Sequence, residues 1–211
     1  MKSVLIELHY LPSLEYFCAL LPFDTIELEK HEHYVKQSYR SRCYINTSQG
    51  VEMLIVPLTA KHGKHLIKDI RIDYSSKWQN NHWRTLEAAY RSAPYFEFYA
   101  DDLKTILYRS HPFLFDLNLE LLSFCLNSIR FNPSLSASVS FEKPAINVFD
   151  CRSKINNKKS LAERAFYKPV PYHQVFGNAF VENLSLIDLL FCEGPLASTL
   201  LLASRKDDLN K

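Results

Sequence analysis

Glycine is scarce in this 211-residue chain: only Gly50, Gly63, Gly177 and Gly194 occur. Neither G-x-G-x-x-G nor G-x-x-x-x-G-K-[ST] can be placed on four such scattered positions, which excludes the standard glycine-rich phosphate cradles. Cysteine is equally uninformative. Cys18, Cys43, Cys125, Cys151 and Cys192 are odd in number and far apart, so neither a C-x-x-C metal pair nor a disulfide framework is suggested, and free thiols in a reducing cytoplasm are expected. Excess charge of one sign is missing too, with a formal net charge of +2, and nucleic acid is not an expected partner. The opening MKSVLIELHY is interrupted by Glu7 and His9 before it reaches signal-peptide length, and no export signal is expected. No uninterrupted apolar run approaches the roughly 18 residues needed to span a bilayer, so the expectation is a cytoplasmic protein that is not transmembrane.

Hydrophobic residues make up 47% and charged residues 23%, the composition of an ordinary globular domain. Periodicity supplies the elements. Residues 3–8 read as a buried strand, and Pro12-Ser13 opens a helix with Leu14, Phe17, Cys18 and Leu21 at helical spacing until Pro22. Thr25 to Glu29 alternates as a strand. Residues 43–45 and 51–58 flank a turn-forming stretch, 46–50, as a hairpin. Ile67, Ile70 and Ile72 suggest a further strand. Ser76-x-x-Gln79 fits a capping box before a helix carrying Trp83, Leu86, Glu87 and Tyr90. Two more helices follow around Leu103–Leu107 and Leu114–Ile129, then a period-two strand at 136–141. Asn183 is placed to cap a helix through Leu184, Ile187, Leu190 and Phe191, ended by Gly194, and Pro195 to start a last one. The fold class is α/β: a single domain over 1–203, a mixed sheet with flanking helices and a strand-turn-helix start. Residues 151–168 form a basic loop or linker and 204–211 a frayed tail.

The candidate chemistry is concentrated in Tyr34–Tyr44. Three cations, Lys36, Arg40 and Arg42, and three tyrosines occur there in eleven residues without an acid. Guanidinium forks and an ammonium suit phosphate or carboxylate, and tyrosines supply stacking faces. Gln37 and Tyr39 belong to the same ligand-binding group. His9 and Tyr10 follow the first strand at the carboxyl edge of the expected sheet, where ligands gather in open α/β folds, and His9 is the proton-transfer candidate. His82 and Arg84 flank Trp83 and are expected to line a cleft. Asp116 and Asp188 are carboxylates among leucines, as structural or site residues; Asp188 is expected to pair with Arg40, Arg42, Arg84 or Arg152. His31 with His33, and His62 with His65, match metal pairs only in part, since no third ligand is placed by spacing. Cys43 beside Arg42 is the best-placed thiol nucleophile, and no Ser-His-Asp order is visible. No metal or dinucleotide cofactor is implied.

Several longer phrases carry a resemblance. LPSLEYF (11–17), YVKQSYRSRC (34–43), IRIDY with HWR (70–84), AYRSAPYFEFYADD (89–102), LFDLN (114–118) and NLSLIDLLFCEGP (183–195) are similar to the WbqC-like protein family, in its Bacteroidetes-type branch. The resemblance implies a role in bacterial surface polysaccharide (O-antigen type) biosynthesis as a transferase that adds glycine or another acyl group to a sugar. A nucleotide- or lipid-linked sugar is the implied partner. No catalytic residues come with the resemblance. Relatives carry Gln-Pro or Pro-Pro where this chain has His9-Tyr10 and Pro12-Ser13, and longer ones hold an extra strand and helix where this chain has the basic stretch 151–168. The alternative is a non-catalytic binding or assembly module that holds an anionic ligand or a protein partner with the same basic cleft.

Overall fold

The first strand, β1 (Ser3–Glu7), is buried along its whole length after Ser3, which is why it reads as a continuous apolar run instead of an alternating one. The computed structural model describes residues 2–59, 63–144 and 147–206. After β1 the chain turns into α1 (Leu14–Leu20), a short helix buried on every side, and returns as β2 (Thr25–Glu29). β2 lies parallel to β1 in the register Ser3↔Thr25 to Glu7↔Glu29. β5 (Ser134–Ala137) and β6 (Val148–Asp150) complete a four-stranded parallel sheet in the order β5-β2-β1-β6. β3 (Arg42–Thr47) and β4 (Gly50–Ile55) form a separate antiparallel hairpin, so the structure is an α/β domain with one parallel sheet and one antiparallel pair. From β1 the chain builds outward through β2 and β5 on one side and adds β6 on the other. The carboxyl ends of β1 and β6 therefore frame the crevice where such sheets take ligands.

Helices α2 (Trp78–Tyr90), α3 (Phe96–Tyr108) and α4 (Leu114–Ser128) bury the apolar faces that their spacing predicts, except that Glu87 is exposed. α5 (Leu186–Glu193) and α6 (Ala197–Ser204) are joined by one tight turn at Gly194–Leu196. Leu186–Ser204 is a 19-residue helical stretch with mean hydropathy 1.6, long and apolar enough to cross a membrane by length and composition. Ile187, Leu190 and Phe191 lie inside the domain core, so burial against the fold accounts for that hydropathy. Gly194 has φ +52, and a Cβ there would stand 2.4 Å from the Tyr95 ring. Gly194→Ala is expected to cost about 2 kcal/mol through overpacking and the unfavourable φ, measured by urea denaturation; an unchanged midpoint would show that Tyr95 gives way freely.

Six local expectations are corrected. Ile67 opens a 3-10 turn (Ile67–Asp69), Ile72 makes a single bridge to Leu58 and Arg71 one to Phe113, because three-then-two spacing of the isoleucines cannot keep one face of a strand. β5 stops at Ala137, and Val139 and Phe141 stand exposed. The hairpin loop contracts to Ser48-Gln49, with Gly50 at φ +97 and Thr47 Oγ1 donating to the Gly50 carbonyl at 2.8 Å. Gln79 is not part of a capping box: α2 starts from Lys77 without a side-chain cap, and the Gln79 amide donates to the Leu107 carbonyl at 2.7 Å. Asn183 caps the other helix. Its Oδ1 accepts from the Glu15 amide at 2.8 Å, while Ser185 is the residue that precedes α5 and bridges to Ser13. The stretch 151–168 is a strap and not a loose linker, since Cys151, Ile155, Phe166 and Tyr167 are buried. Of the expected frayed tail, residues 207–211 lie outside the described residues, as does His62.

Candidate functional site

The carboxyl ends of β1, β2 and β6 each present an acid, Glu7, Glu29 and Asp150, and the chain answers them with arginines from distant segments. Arg40 forms a bidentate pair with Glu32, both bonds at 2.6 Å, and reaches Glu7 at 3.3 Å. Arg152 bonds Glu29 at 2.8 Å and folds back on Asp150. Arg164 bonds Glu15 of α1 at 2.7 Å. Glu7, Glu15, Glu29, Glu32 and Arg40 are buried, and burial forces such charges to pair. Arg40 remains charged: burial pulls its pKa down, but Glu32 and Glu7 outweigh it and leave it raised. The Ser153 amide donates to both Glu7 oxygens, at 2.9 and 3.1 Å, which fastens the strap to the sheet edge.

His9 is wholly buried beside this network. Its Nε2 lies 3.4 Å from Glu7, and its ring packs on Tyr16 and stacks on Tyr39 with centroids 5.3 Å apart. Burial pushes the imidazole pKa down, the nearby Arg40 charge adds to that, and Glu7 only partly opposes them. The Glu7 carboxyl is lowered. Burial alone would raise it, but the contacts with His9, Arg40 and the Ser153 amide prevail. An ionised carboxylate only accepts hydrogen bonds, so Nε2 carries the ring proton and Nδ1 presents a lone pair. That Nδ1 has no hydrogen-bond partner among the described residues.

Tyr39 also lines a cavity of about 150 Å3, together with Tyr44, Asn157, Arg164, Glu182 and Asn183. The two tyrosine rings meet edge to face at 5.9 Å. The Tyr44 hydroxyl accepts from the Asn157 amide at 2.9 Å. Burial raises the Tyr39 hydroxyl to about 12, with the neighbouring Arg164 opposing the rise. Arg164 Nε and Asn183 Nδ2 are buried and have no partner among the described residues. Arg164, Asn157, Asn183 and Glu182 carry no local signal in the sequence, because strap, hairpin and the segment before α5 meet only in three dimensions.

The other singled-out residues are dispersed. Tyr10 is buried and its hydroxyl bonds His82 Nδ1 at 2.9 Å, with His82 Nε2 on the Ile55 carbonyl at 3.1 Å; His82 joins core elements and lines no cleft. Lys36 and Gln37 are exposed, Gln37 with φ +56. Arg42 lies on the hairpin's outer face against Met53 Sδ. Arg84 lines a separate groove with Glu52 and the hairpin turn. Trp83 packs on Phe96 in the core. Asp116 is an exposed acid, not a buried carboxylate. Asp188 is fully buried, but no arginine serves it: it accepts from Tyr90 and Tyr172 hydroxyls at 2.7 and 2.6 Å and from Gln174 at 3.2 Å. Three neutral donors suffice because burial raises its carboxyl and they oppose that rise only in part. Cys43 is buried, and burial pushes its thiol up, away from the thiolate that a nucleophile needs. Among the described residues no group of three or more His, Cys, Asp or Glu is placed to hold a metal ion; His31 touches Ser138 and His33 is exposed.

Comparison with known proteins gives two results. The WbqC-like protein family matches residues 8–165, a span that includes His9, Tyr39, Arg40 and Arg164. Uncharacterized protein Rv1507c of Mycobacterium tuberculosis is 32% identical over 143 residues, 67% of this chain and 62% of the relative. The chain thus spans under two thirds of that relative's length. No solved structure matches.

Proposed function

We propose, from the premise that this chain belongs to the WbqC-like protein family, that it is a cytoplasmic transferase of bacterial surface-polysaccharide biosynthesis. In this reading it moves a glycyl or similarly small acyl group onto the amine or hydroxyl of a nucleotide- or lipid-linked sugar. The observation that supports it is the neutral His9 with Nε2 directed at Glu7 and Nδ1 unpartnered, at the carboxyl edge of a central parallel strand. Acyl transfer forms a C–N or C–O bond while the donor's leaving group departs with its electron pair, and the acceptor must lose a proton. His9 Nδ1 takes that proton, and the Glu7 carboxylate stabilises the imidazolium. Tyr39 stacks on the His9 ring and also lines the cavity, which joins the two.

Deleting the gene in the source organism is expected to remove an acyl substituent from the surface polysaccharide, seen by mass spectrometry of the isolated glycan. Wild-type protein restores it, and His9→Gln accumulates to the same level without restoring it. Full restoration by His9→Gln would eliminate His9 as the base. The complete burial of His9 favours a second reading, a binding or assembly module without turnover. Under that reading the His9→Gln protein restores the glycan and wild type shows ligand binding with no transfer.

A further inference from the structure

β5 and the residues after it turn their apolar side outward. Along 134–141 serine alternates with Leu135, Ala137, Val139 and Phe141, a pattern that in a core strand buries the apolar positions. Here those positions are in solvent: Leu135 is 36% exposed, Val139 89% and Phe141 59%, and Ala137 is exposed with them. The serine side is the one that meets the protein at its far end, where buried Ser138 donates to Glu29 at 2.8 Å. All four residues of β5 are exposed.

β5 is also an end strand of its sheet. The Ser134 and Ser138 amides donate to the Asp24 and Leu28 carbonyls, so the even-numbered residues face β2 and the N–H and C=O groups of Leu135 and Ala137 point away from it. Those outward groups have no hydrogen-bond partner among the described residues. Free edges are ordinarily guarded by a charge, a proline or a bulge. From Phe131 to Phe141 this chain carries no charge, and Pro133 lies before the strand, not in it. A bilayer cannot satisfy outward peptide groups, whereas another strand can. We infer that β5 is a dimer interface, on which the β5 of a second copy of this chain lies antiparallel about a twofold axis at Ser136. In that register Leu135 of each copy exchanges both backbone bonds with Ala137 of the other, and the two sheets become continuous. The same register directs Val139 towards Pro133 of the second copy and sets exposed Arg130 opposite its exposed Glu142, so the segment complements itself in apolar surface and in charge. The contact is short of the roughly 1,200 Å2 that stable interfaces bury, and association in the micromolar range is expected. None of this rests on the transferase reading.

Sedimentation velocity of the full chain from micromolar to submillimolar concentration tests it, with the mass expected to rise from 24.6 kDa towards twice that value. Leu135→Lys combined with Val139→Lys puts charge on two exposed positions and holds the protein monomeric at an unchanged melting temperature. Ala137→Pro deletes an outward N–H, takes no bond from β2, and also prevents the dimer. Ser136→Cys reads the register. On the axis its two Cβ atoms stand about 4.5–5.5 Å apart, so mild oxidation gives a disulfide-linked dimer, while Ser134→Cys, set against Ser138, gives none. The five native cysteines are free and buried and do not compete. A wild type that stays monomeric throughout overturns the inference, and flotation of that monomer with phosphatidylglycerol vesicles assigns the stripe to a membrane instead. A dimer that persists in the folded lysine variant, or that fails to cross-link through Ser136→Cys, overturns it equally.

Discussion

Arg40→Ala is expected to lose about 3–5 kcal/mol of folding stability, the usual consequence of stripping one partner from a buried ion pair. The arginine is 3% exposed and holds Glu32 through two bonds of 2.6 Å while reaching Glu7 at 3.3 Å. Alanine leaves the buried Glu32 and Glu7 carboxylates without their shared arginine. Arg42→Ala, two residues along the same strand entry, removes a contact to a methionine sulfur on the outer face and is expected to change stability by no more than about 0.5 kcal/mol. Urea denaturation of the two variants measures the contrast directly. Equal midpoints would mean that the Arg40 network is solvated in solution. The triple variant Arg40→Met, Glu32→Gln, Glu7→Gln should recover part of the loss, since removing all the charges together costs less than stranding one of them.

Acidification is expected to weaken the fold by about 3 kcal/mol between pH 6.5 and 4 through His82 alone. Burial lowers this imidazole to about 4, with the Ile55 carbonyl opposing the fall only in part. The groups that face it are the Tyr10 hydroxyl, the Ile55 carbonyl and the Trp78 ring, none of them charged. In the unfolded chain the same ring titrates near 6.5. Through that window the unfolded state binds a proton that the folded state refuses, so stability is full above about pH 6.5, declines as pH falls and levels off near 4. His9, also lowered by burial, acts in the same direction. Asp188 acts in the opposite one: its raised carboxyl takes a proton in the folded state first, which relieves the cost of a buried charge on acidification. His82→Gln can still accept from Tyr10 and donate to Ile55, and it should flatten the decline between pH 7 and 4.5 by the His82 share. An identical slope in the variant would assign the acid sensitivity elsewhere.

Much of the fold was legible. β1, α1 and β2 follow from a buried apolar run, a Pro-Ser helix start and a five-residue alternation, α2 to α5 follow from apolar spacing and α6 from Pro195 as a helix start, because such signals are imposed within a few residues of chain. The misreadings occur where tertiary contacts override local pattern: at Ile67–Ile72, where three isoleucines plug the core without pairing as a strand, and at Asn183, whose cap serves a helix 168 residues away in sequence. The candidate site divides in the same way. Its unusual composition is visible as His9 after the first strand and as the tyrosines and arginines of residues 34–44.

By itself, then, the sequence determined an α/β chain whose first strand is central, the family to which it belongs, and the segment from which Tyr39 and Arg40 come. Only the tertiary structure decided what those residues do. Arg40 is committed to carboxylates and not to a ligand, Arg164 and Asn183 take the cavity wall, and Asp188 is served by phenols and an amide in place of an arginine. The physical reason is that a charge carries no record of its partner in its own neighbourhood of the chain. The register of a parallel sheet brings Glu7 and Glu29 side by side at one edge, and burial there obliges each of the two acids to find a donor from whichever distant segment the packing delivers.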